Sequence, residues 1–471
     1  MTRIFRFLAA LIVLATALPR AATTQAAPRP VDWPALTREA QQILTEYLRI
    51  NTTNPPGNEL AAAKFLKQIL EREGFAVQIL DTTELGAGRA NLYTRLKGNG
   101  SKKAIALVHH MDVVPATAAY WSVDPFAGIV KDGYLYGRGA FDMKGAGVMQ
   151  MMAMIALKRS GAVLNRDIVF IANADEEAGS TGAIVFVNRH PDLLKDVEFL
   201  TTEGADNWFE NGKLKYIAVG AAEKRALWQH LVVKGVPSHG SRPTKLNPVP
   251  KLVAALDRIA HWETPLHLTP VTVRYFHDIA PLYPEPKRSW LSDVSAALKN
   301  PRARQWILSD VYWNAVLRNT ISLTGLSGSN KTNVIPAEAS ADLDVRLLPD
   351  QDIAAFLDQL KRVAGDTAVH FTTTSVIKPR LASPINTDFV HAVERAARDR
   401  DPATIVTTPM FTAATDRPTY QRLGILAYGI DPFRIERDEQ QRGMHGNDER
   451  ISLDNLGWGL KYVYDILRYV Q

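Results

Sequence analysis

Five residues able to bind metal ions stand in settings that suit a metal site. They are His110 in HHMDVVPA, Asp142 in YGRGAFDMKG, Glu177 in NADEEAGS, Glu203 in TTEGAD and His445 in MHGNDE. Two imidazoles and three carboxylates match a pair of zinc-like ions bridged by one carboxylate, with room left for a water. That set suggests a hydrolase and narrows the chemistry to a few reactions. The chain contains no cysteine, so a metal must be held by nitrogen and oxygen, and neither a thiolate nucleophile nor a disulfide framework is available.

Each setting has an alternative use. His110 and Asp112 stand two apart at the end of an apolar run, on one face of a strand, so Asp112 can approach the imidazole and fix its tautomer. His109 takes the opposite face and is read as structural. Asp142 follows a Gly-Arg-Gly turn and opens a long helix pattern, where an aspartate is as apt for an N-cap. The glycines let the backbone come close to a site, and both carboxylate oxygens are free to bridge two cations. Asp175, Glu176 and Glu177 follow the apolar run FIAN directly. Three adjacent carboxylates repel one another unless cations are near. Beside a metal pair, one Glu can bind an ion while its neighbour takes a proton from a water acidified to a pKa of about 7. Glu203 repeats the theme after VEFLTT, and His445 lies in a loop between Gly443 and Gly446.

The elements that must gather these residues are legible as alternating runs. AIALVHHMD, DIVFIANADEE and VEFLTTEG are near-continuous apolar strands that end in acidic or His residues. Between the first two, MKGAGVMQMMAMIALKRSG places Val148, Met151, Met152 and Ile155 at helical spacing, a core-packing stripe. The pattern predicts an α/β fold with a mostly parallel sheet covered by helices on both faces. Such sheets build their sites at the carboxyl ends of the strands. From about Ala222 the order becomes β-α-β-β-α-β, a split βαβ unit, read as a lid domain over residues 222–378. A Trp- and Pro-containing segment from about Thr264 to Arg318 interrupts it as a helical insertion. The catalytic domain, residues 27–221, then resumes over residues 379–471 and brings in His445.

With 471 residues, 46% of them hydrophobic, the chain can bury two or three cores. Its first 26 residues carry Arg3 and Arg6, an apolar run from Phe7 to Leu18, and then small residues. That layout is a secretory signal peptide, cleaved after Ala17 or Ala26, and its run is short of the ~20 residues of a membrane span. An uncleaved anchor is the alternative. Removal of Arg3, Arg6 and Arg20 lowers the formal charge from +6 to +3. The basic balance therefore gives no case for nucleic-acid binding, which needs a clustered basic face. An exported chain without cysteine fits a periplasmic or secreted protein.

With these residues assembled, the chain resembles the di-zinc metallopeptidase and amidohydrolase family of glutamate carboxypeptidase, aminoacylase, carboxypeptidase S, acetylornithine deacetylase and succinyl-diaminopimelate desuccinylase. HxDVVP, GRGxxDMKG, DEExGS, SHGSRP, NVIP and the late HGxxE occur in the family's order, across essentially everything after the leader. The resemblance implies two Zn2+ ions, with Co2+ or Mn2+ as substitutes, bridged by Asp142. His110 and Glu203 would complete one ion, Glu177 and His445 the other. Glu176 would be the general base, Asp112 the residue orienting His110, and His239 in VPSHGSRP the lid histidine that polarises the scissile carbonyl, commonly from a partner subunit. Asn333 in TNVIP and Arg346 in DVRLL match positions that hold the substrate, and Arg417 in AATDRP is a further carboxylate-binding candidate. Asn333 is equally a turn residue, and Arg346 can pair within its strand. Glu203 stands where some members carry Asp, which leans towards aminoacylase and carboxypeptidase S. The Thr264–Arg318 insertion exceeds a minimal lid.

The expected activity is cleavage of an amide or peptide bond next to a free carboxylate, by a carboxypeptidase or dipeptidase. An N-acyl-amino-acid amidohydrolase is the alternative, and a metal-binding protein without catalysis a remote one. The expected partners are a small peptide or N-acyl amino acid and a second copy of the chain paired through the lid.

Overall fold

Six strands form the sheet that carries the site. Their order is Val77–Asp81, Ala90–Leu96, Ile168–Asn173, Ala104–His110, Val197–Thr202 and Leu426–Gly429. The last four run parallel, and the first two join antiparallel at one edge. The computed structural model describes residues 28–375, 382–434, 436 and 443–471. The expected leader, with its cleavage positions, and the 378/379 junction lie outside the described residues. Among the described residues no helix is long and apolar enough to cross a membrane.

The parallel strands are almost wholly buried; every residue of Ala104–His110 and Ile168–Asn173 is buried, and only Glu198 and Leu426 of the other two are partly exposed. That is the burial expected of strands with both faces covered. Helix Lys144–Ser160 is buried on nearly all sides, not along one stripe. It lies between the sheet and helices Trp33–Leu48 and Leu453–Tyr469. The stripe at Val148, Met151, Met152 and Ile155 is core, as its spacing predicts, but Met149 and Met154 on other faces are equally buried. A helix apolar all round is one enclosed by protein.

The inserted unit has the expected β-α-β-β-α-β order. Strand Gln229–Lys234 lies between Glu338–Leu347 and Val369–Thr373, and Thr320–Ser327 forms the edge beyond Glu338–Leu347, all antiparallel. Ala339, Ala341, Leu343, Val345 and Leu347 alternate inward. They pack against helices Pro248–Ala260 and Ile353–Ala364, so this sheet has one covered face, as period-2 patterning dictates.

The segment between Thr264 and Arg318 folds as short helices: Pro270–Ile279, Lys287–Ser292, Val294–Ala297, Pro301–Ser309 and Val311–Val316. Although inserted in the lid's sequence, it packs onto the catalytic part. Tyr275, Phe276, Ile279, Leu291, Ile307 and Trp313 share a core with Ala205, Tyr216 and Ala218. Strand Lys213–Ala218 pairs in turn with Trp208–Glu210 and Ile405–Thr407.

Candidate metal centre

The three apolar runs deliver their terminal residues to one end of the sheet. His110 ends its strand, Glu176 and Glu177 follow Ile168–Asn173, and Glu203 follows Val197–Thr202. Asp142 does not cap the long helix, which begins at Lys144 with Met143 in the cap position. Its side chain instead occupies the centre of the cluster. Asp142 Oδ1 lies 3.1 Å from His110 Nε2 and Oδ2 lies 3.2 Å from His445 Nε2. Each oxygen of one carboxylate thus faces a different imidazole. Glu203 Oε1 stands 3.7 Å from His110 Nε2, and Glu177 Oε2 3.1 Å from His445 Nε2. Donor atoms of His110, Asp142 and Glu177 lie within 4.8 Å of one another, as do those of His110, Glu176 and Glu203.

This grouping fits two divalent cations. Glu177 Oε1 is buried with no hydrogen-bond partner, a costly state for a carboxylate oxygen unless a cation meets it. Burial disfavours a charged His110 ring, yet Glu203 and Asp142 outweigh that and hold its pKa well above the ordinary value. Hydrogen bonds to Asp142 and Glu177 push His445 up to about 10. Burial lifts Glu203 to about 7. Burial would also lift Asp142, but the two imidazoles pull it well below the usual carboxylate range. Positive charge is drawn to both sides of Asp142, and the donors are all nitrogen and oxygen, the set that zinc-like ions take.

Asp112 orients His110 by a route the sequence did not suggest. His110 Nδ1 lies 2.9 Å from the Asp112 backbone carbonyl, which can only accept, so Nδ1 carries a proton, and in the neutral ring Nε2 is the nitrogen left with its lone pair. The Asp112 carboxylate is 3.7 Å from Nδ1 and accepts instead from the backbone N–H groups of Glu176 and Glu177, both at 3.1 Å. It therefore positions the two glutamates. Asn54 Nδ2 donates to Asp112 at 2.8 Å and to Asp175 at 2.9 Å. Arg89 pairs with buried Glu59 and reaches Asp175 at 3.2 Å. Asp175, the first acid of the run, is thus turned away into this network. His109 lies in the core across the strand, 3.3 Å from the Tyr47 hydroxyl, its pKa lowered to about 3 by burial.

Glu449 supplies a second clamp. Its Oε1 accepts from the N–H groups of Phe141 and Asp142 at 2.8 and 2.9 Å. Its Oε2 accepts from Gly139 N at 3.0 Å and Arg138 Nη1 at 2.7 Å. Arg138 Nη2 then donates to the Gly446 carbonyl at 2.8 Å. One buried ion pair therefore ties the loop of Asp142 to the loop of His445. The late HGxxE spacing and the arginine between two glycines were its only sequence traces.

The remaining expected residues lie apart from the cluster. His239 and Asn333 come together on the lid, where Ser238–His239 pairs with Val334–Ile335 and Gly240 N donates to the Asn333 carbonyl at 2.7 Å. Both side chains are exposed. Arg346 pairs with Asp344 on its own strand, Nε to Oδ1 at 2.7 Å, and lies over the Trp228 ring. Arg417 is buried, paired with Glu223 at 3.0 Å, and donates to the carbonyls of Gly220 and Gly204. Its guanidinium is occupied in supporting the turn after Glu203, and in this conformation it offers nothing to a substrate carboxylate.

A carboxylate shared between two imidazoles at the carboxyl ends of a parallel sheet, with spare acids around it, defines a metallohydrolase. The chain belongs to peptidase family M20/M25/M40, whose sequence profile it matches over residues 106–469. It is 27% identical over 392 residues to the human N-fatty-acyl-amino acid synthase/hydrolase PM20D1, spanning 80% of this chain and 76% of that one. It is also 27% identical to aminoacylase-1B of Rattus norvegicus, over 87% of this chain and 90% of the relative. The fold matches that of the M20 family metallo-carboxypeptidase Sso-CP2 from Sulfolobus solfataricus with a TM-score of 0.71, at 20% identity, covering 92% of this chain and 99% of that one.

The Glu449 clamp carries a prediction. Glu449→Ala leaves Arg138 buried without its partner, a change that typically costs about 3–5 kcal/mol, and frees the Asp142 backbone. Denaturant unfolding should show that loss and elemental analysis a lowered metal content. Full metal content with wild-type stability would remove Glu449 from this role.

Proposed function

We propose that the protein is an exported hydrolase that uses a pair of divalent cations, zinc foremost, to cleave an amide bond next to a free carboxylate. The substrate is a small peptide or an N-acyl amino acid. The observation that carries this reading is the division of Asp142 between His110 and His445, with Glu176 grouped beside His110 and Glu203. The resemblance to an aminoacylase and to an N-fatty-acyl-amino acid hydrolase supports the N-acyl substrates, and the fold shared with a metallo-carboxypeptidase is compatible with the peptides.

His110, Asp142 and Glu203 would hold one cation, and Asp142, Glu177 and His445 the other. When bound, the pair would acidify a water and polarise the scissile carbonyl. Glu176 takes the proton from the attacking water and delivers it to the leaving amine. Its backbone N–H donates to Asp112 at 3.1 Å, which fixes the point from which the carboxylate reaches the cluster.

His239 acts from the lid. Its Nδ1 accepts from the Ser241 N–H at 3.2 Å, so the neutral ring bears its proton on Nε2 and can donate to the developing oxyanion. Asn333 lies beside it on the same ribbon and is suited to hold the substrate near its carboxylate. Arg346 would have to exchange Asp344 for that carboxylate, a fork-to-fork swap open to a guanidinium. Closure of the lid over the catalytic part, from either the same or a second copy, is the motion this division of labour requires.

Four outcomes are expected. Glu176→Gln keeps full metal content and fold but loses about 10²–10⁴-fold in kcat, read from steady-state kinetics beside elemental analysis; undiminished turnover would eliminate Glu176 as the base. Glu177→Ala binds less than two equivalents of metal, and chelation of the wild type abolishes hydrolysis until zinc, cobalt or manganese is restored. Expressed in a bacterium with an intact export system, the mature protein begins after Ala17 or Ala26 by N-terminal sequencing, whereas a retained Met1 would argue against cleavage.

A further inference from the structure

A cavity of about 440 Å3 lies between the helical insertion and the catalytic part. Its wall includes Gly204, the residue after Glu203, and Met444, the residue before His445. It therefore opens beside residues that would hold both cations. Its size falls within the roughly 300–1,000 Å3 of small-molecule sites.

The composition of the wall is unusual for a merely apolar pocket. Trp208, Tyr216, Tyr275, Tyr283, Tyr312 and Trp313 contribute six rings, four of them from the insertion, and Phe209 and Phe411 add two more, while among the described residues the lining contains no Leu, Ile or Val and no basic residue. The rings brace one another edge to face: Tyr216 and Tyr275 at 6.1 Å between centroids, Tyr275 and Tyr312 at 6.0 Å, Tyr283 and Trp313 at 5.8 Å. Several polar tips are already engaged. The Tyr312 hydroxyl donates to the Met410 carbonyl at 2.9 Å, and the Trp313 indole N–H donates to the Tyr275 hydroxyl at 3.3 Å. A guest is thus met mainly by ring faces and edges, which favour another ring in offset or edge-to-face contact.

Two carboxylates complete the lining. Asp310 caps helix Val311–Val316 through the Trp313 N–H at 2.9 Å, and Asp206 is exposed to solvent. Their charge opposes an anionic guest. The cap hydrogen bond leaves Asp310 charged, so the preference for a neutral aromatic group rests on the ring faces and edges, and the lysyl derivative below tests a cation against it.

We infer that this cavity receives the acyl half of the substrate and selects a flat, neutral aromatic group there. The inference rests on the amide-hydrolase reading above, in which lid residues take the carboxylate half. It names the substrate class as amino acids acylated by an aryl-bearing acid, or dipeptides with an aromatic first residue. The insertion is then the specificity element of the enzyme.

The test uses the full metal-loaded chain and a set of derivatives of one amino acid carrying acetyl, octanoyl, phenylacetyl, indolylacetyl, lysyl or succinyl groups. The aryl compounds should exceed octanoyl by about 2- to 10-fold in kcat/KM, the worth of an aromatic pair beyond its buried area, and succinyl should be poorest. Trp208→Leu and Tyr283→Leu, which keep apolar bulk, should each erase the aryl-over-octanoyl ratio. Octanoyl or lysyl equal to or above the aryl compounds in the wild type would overturn the inference while leaving the hydrolase reading intact. Phenylacetamide, a neutral aryl probe, titrated against tryptophan fluorescence separates the two claims further. Saturable quenching that Tyr283→Leu weakens supports the cavity's preference even if no amide is hydrolysed, and absence of quenching in an active enzyme counts against it.

Discussion

The structure depends on the crowding of carboxylates that cannot tolerate one another without cations. Asp112, Asp142, Glu177 and Glu203 are all largely buried, and the possible donor atoms lie within 4.8 Å in each group of three. Two like charges about 4 Å apart repel by roughly 4 kcal/mol even at an effective dielectric of ~20. No arrangement of the backbone removes that cost. Protons or cations must relieve it: burial already lifts Glu203 to about 7, and the two imidazoles on either side of Asp142 mark where positive charge is drawn.

Such a cluster has to be built by residues that never touch the cations. Asn54 and Arg89 absorb Asp175 and leave Glu176 and Glu177 to face the centre. Asp112 uses its carbonyl on His110 and its carboxylate on two backbone amides. Glu449 and Arg138 join loops more than 300 residues apart in sequence. Charge-assisted hydrogen bonds to backbone N–H groups fix direction as well as distance. The site is accordingly rigid at its base, while the groups expected to meet the substrate sit on an exposed ribbon of the lid.

These two layers were not equally legible in the sequence. The ligands could be read because apolar strands that end in His or acid leave few other uses for those residues, and the β-α-β-β-α-β order explained the distance to His445. The clamps could not be read. Asn54 stands in an ordinary-looking Pro/Gly turn and Arg89 before an ordinary strand; only the three-dimensional meeting with Asp112 and Asp175 gives them meaning. The Asp142 N-cap alternative failed because the helix starts two residues later, which frees the carboxylate. The insertion was recognised as helical, but its Trp and Tyr residues have no period that tells which surface they cover, and they cover the catalytic part. Arg417 reads as a loop cation in sequence, whereas its burial makes it a support.

That support links recognition to chemistry. Gly204 has φ +97°, and a Cβ there would lie 2.8 Å from Arg417 Nη2 and 3.3 Å from Phe411. Only glycine allows the turn after Glu203 to press this close against the guanidinium, which donates to the Gly204 and Gly220 carbonyls. The same turn borders the aromatic cavity on one side and carries the Glu203 carboxylate of the cluster on the other. A guest that fills the cavity pushes on a segment with no slack, because its carbonyls are held by a buried arginine that is itself neutralised by Glu223. Binding energy from the acyl group can therefore position the scissile bond against Glu203 and Glu176 instead of being lost in loop movement.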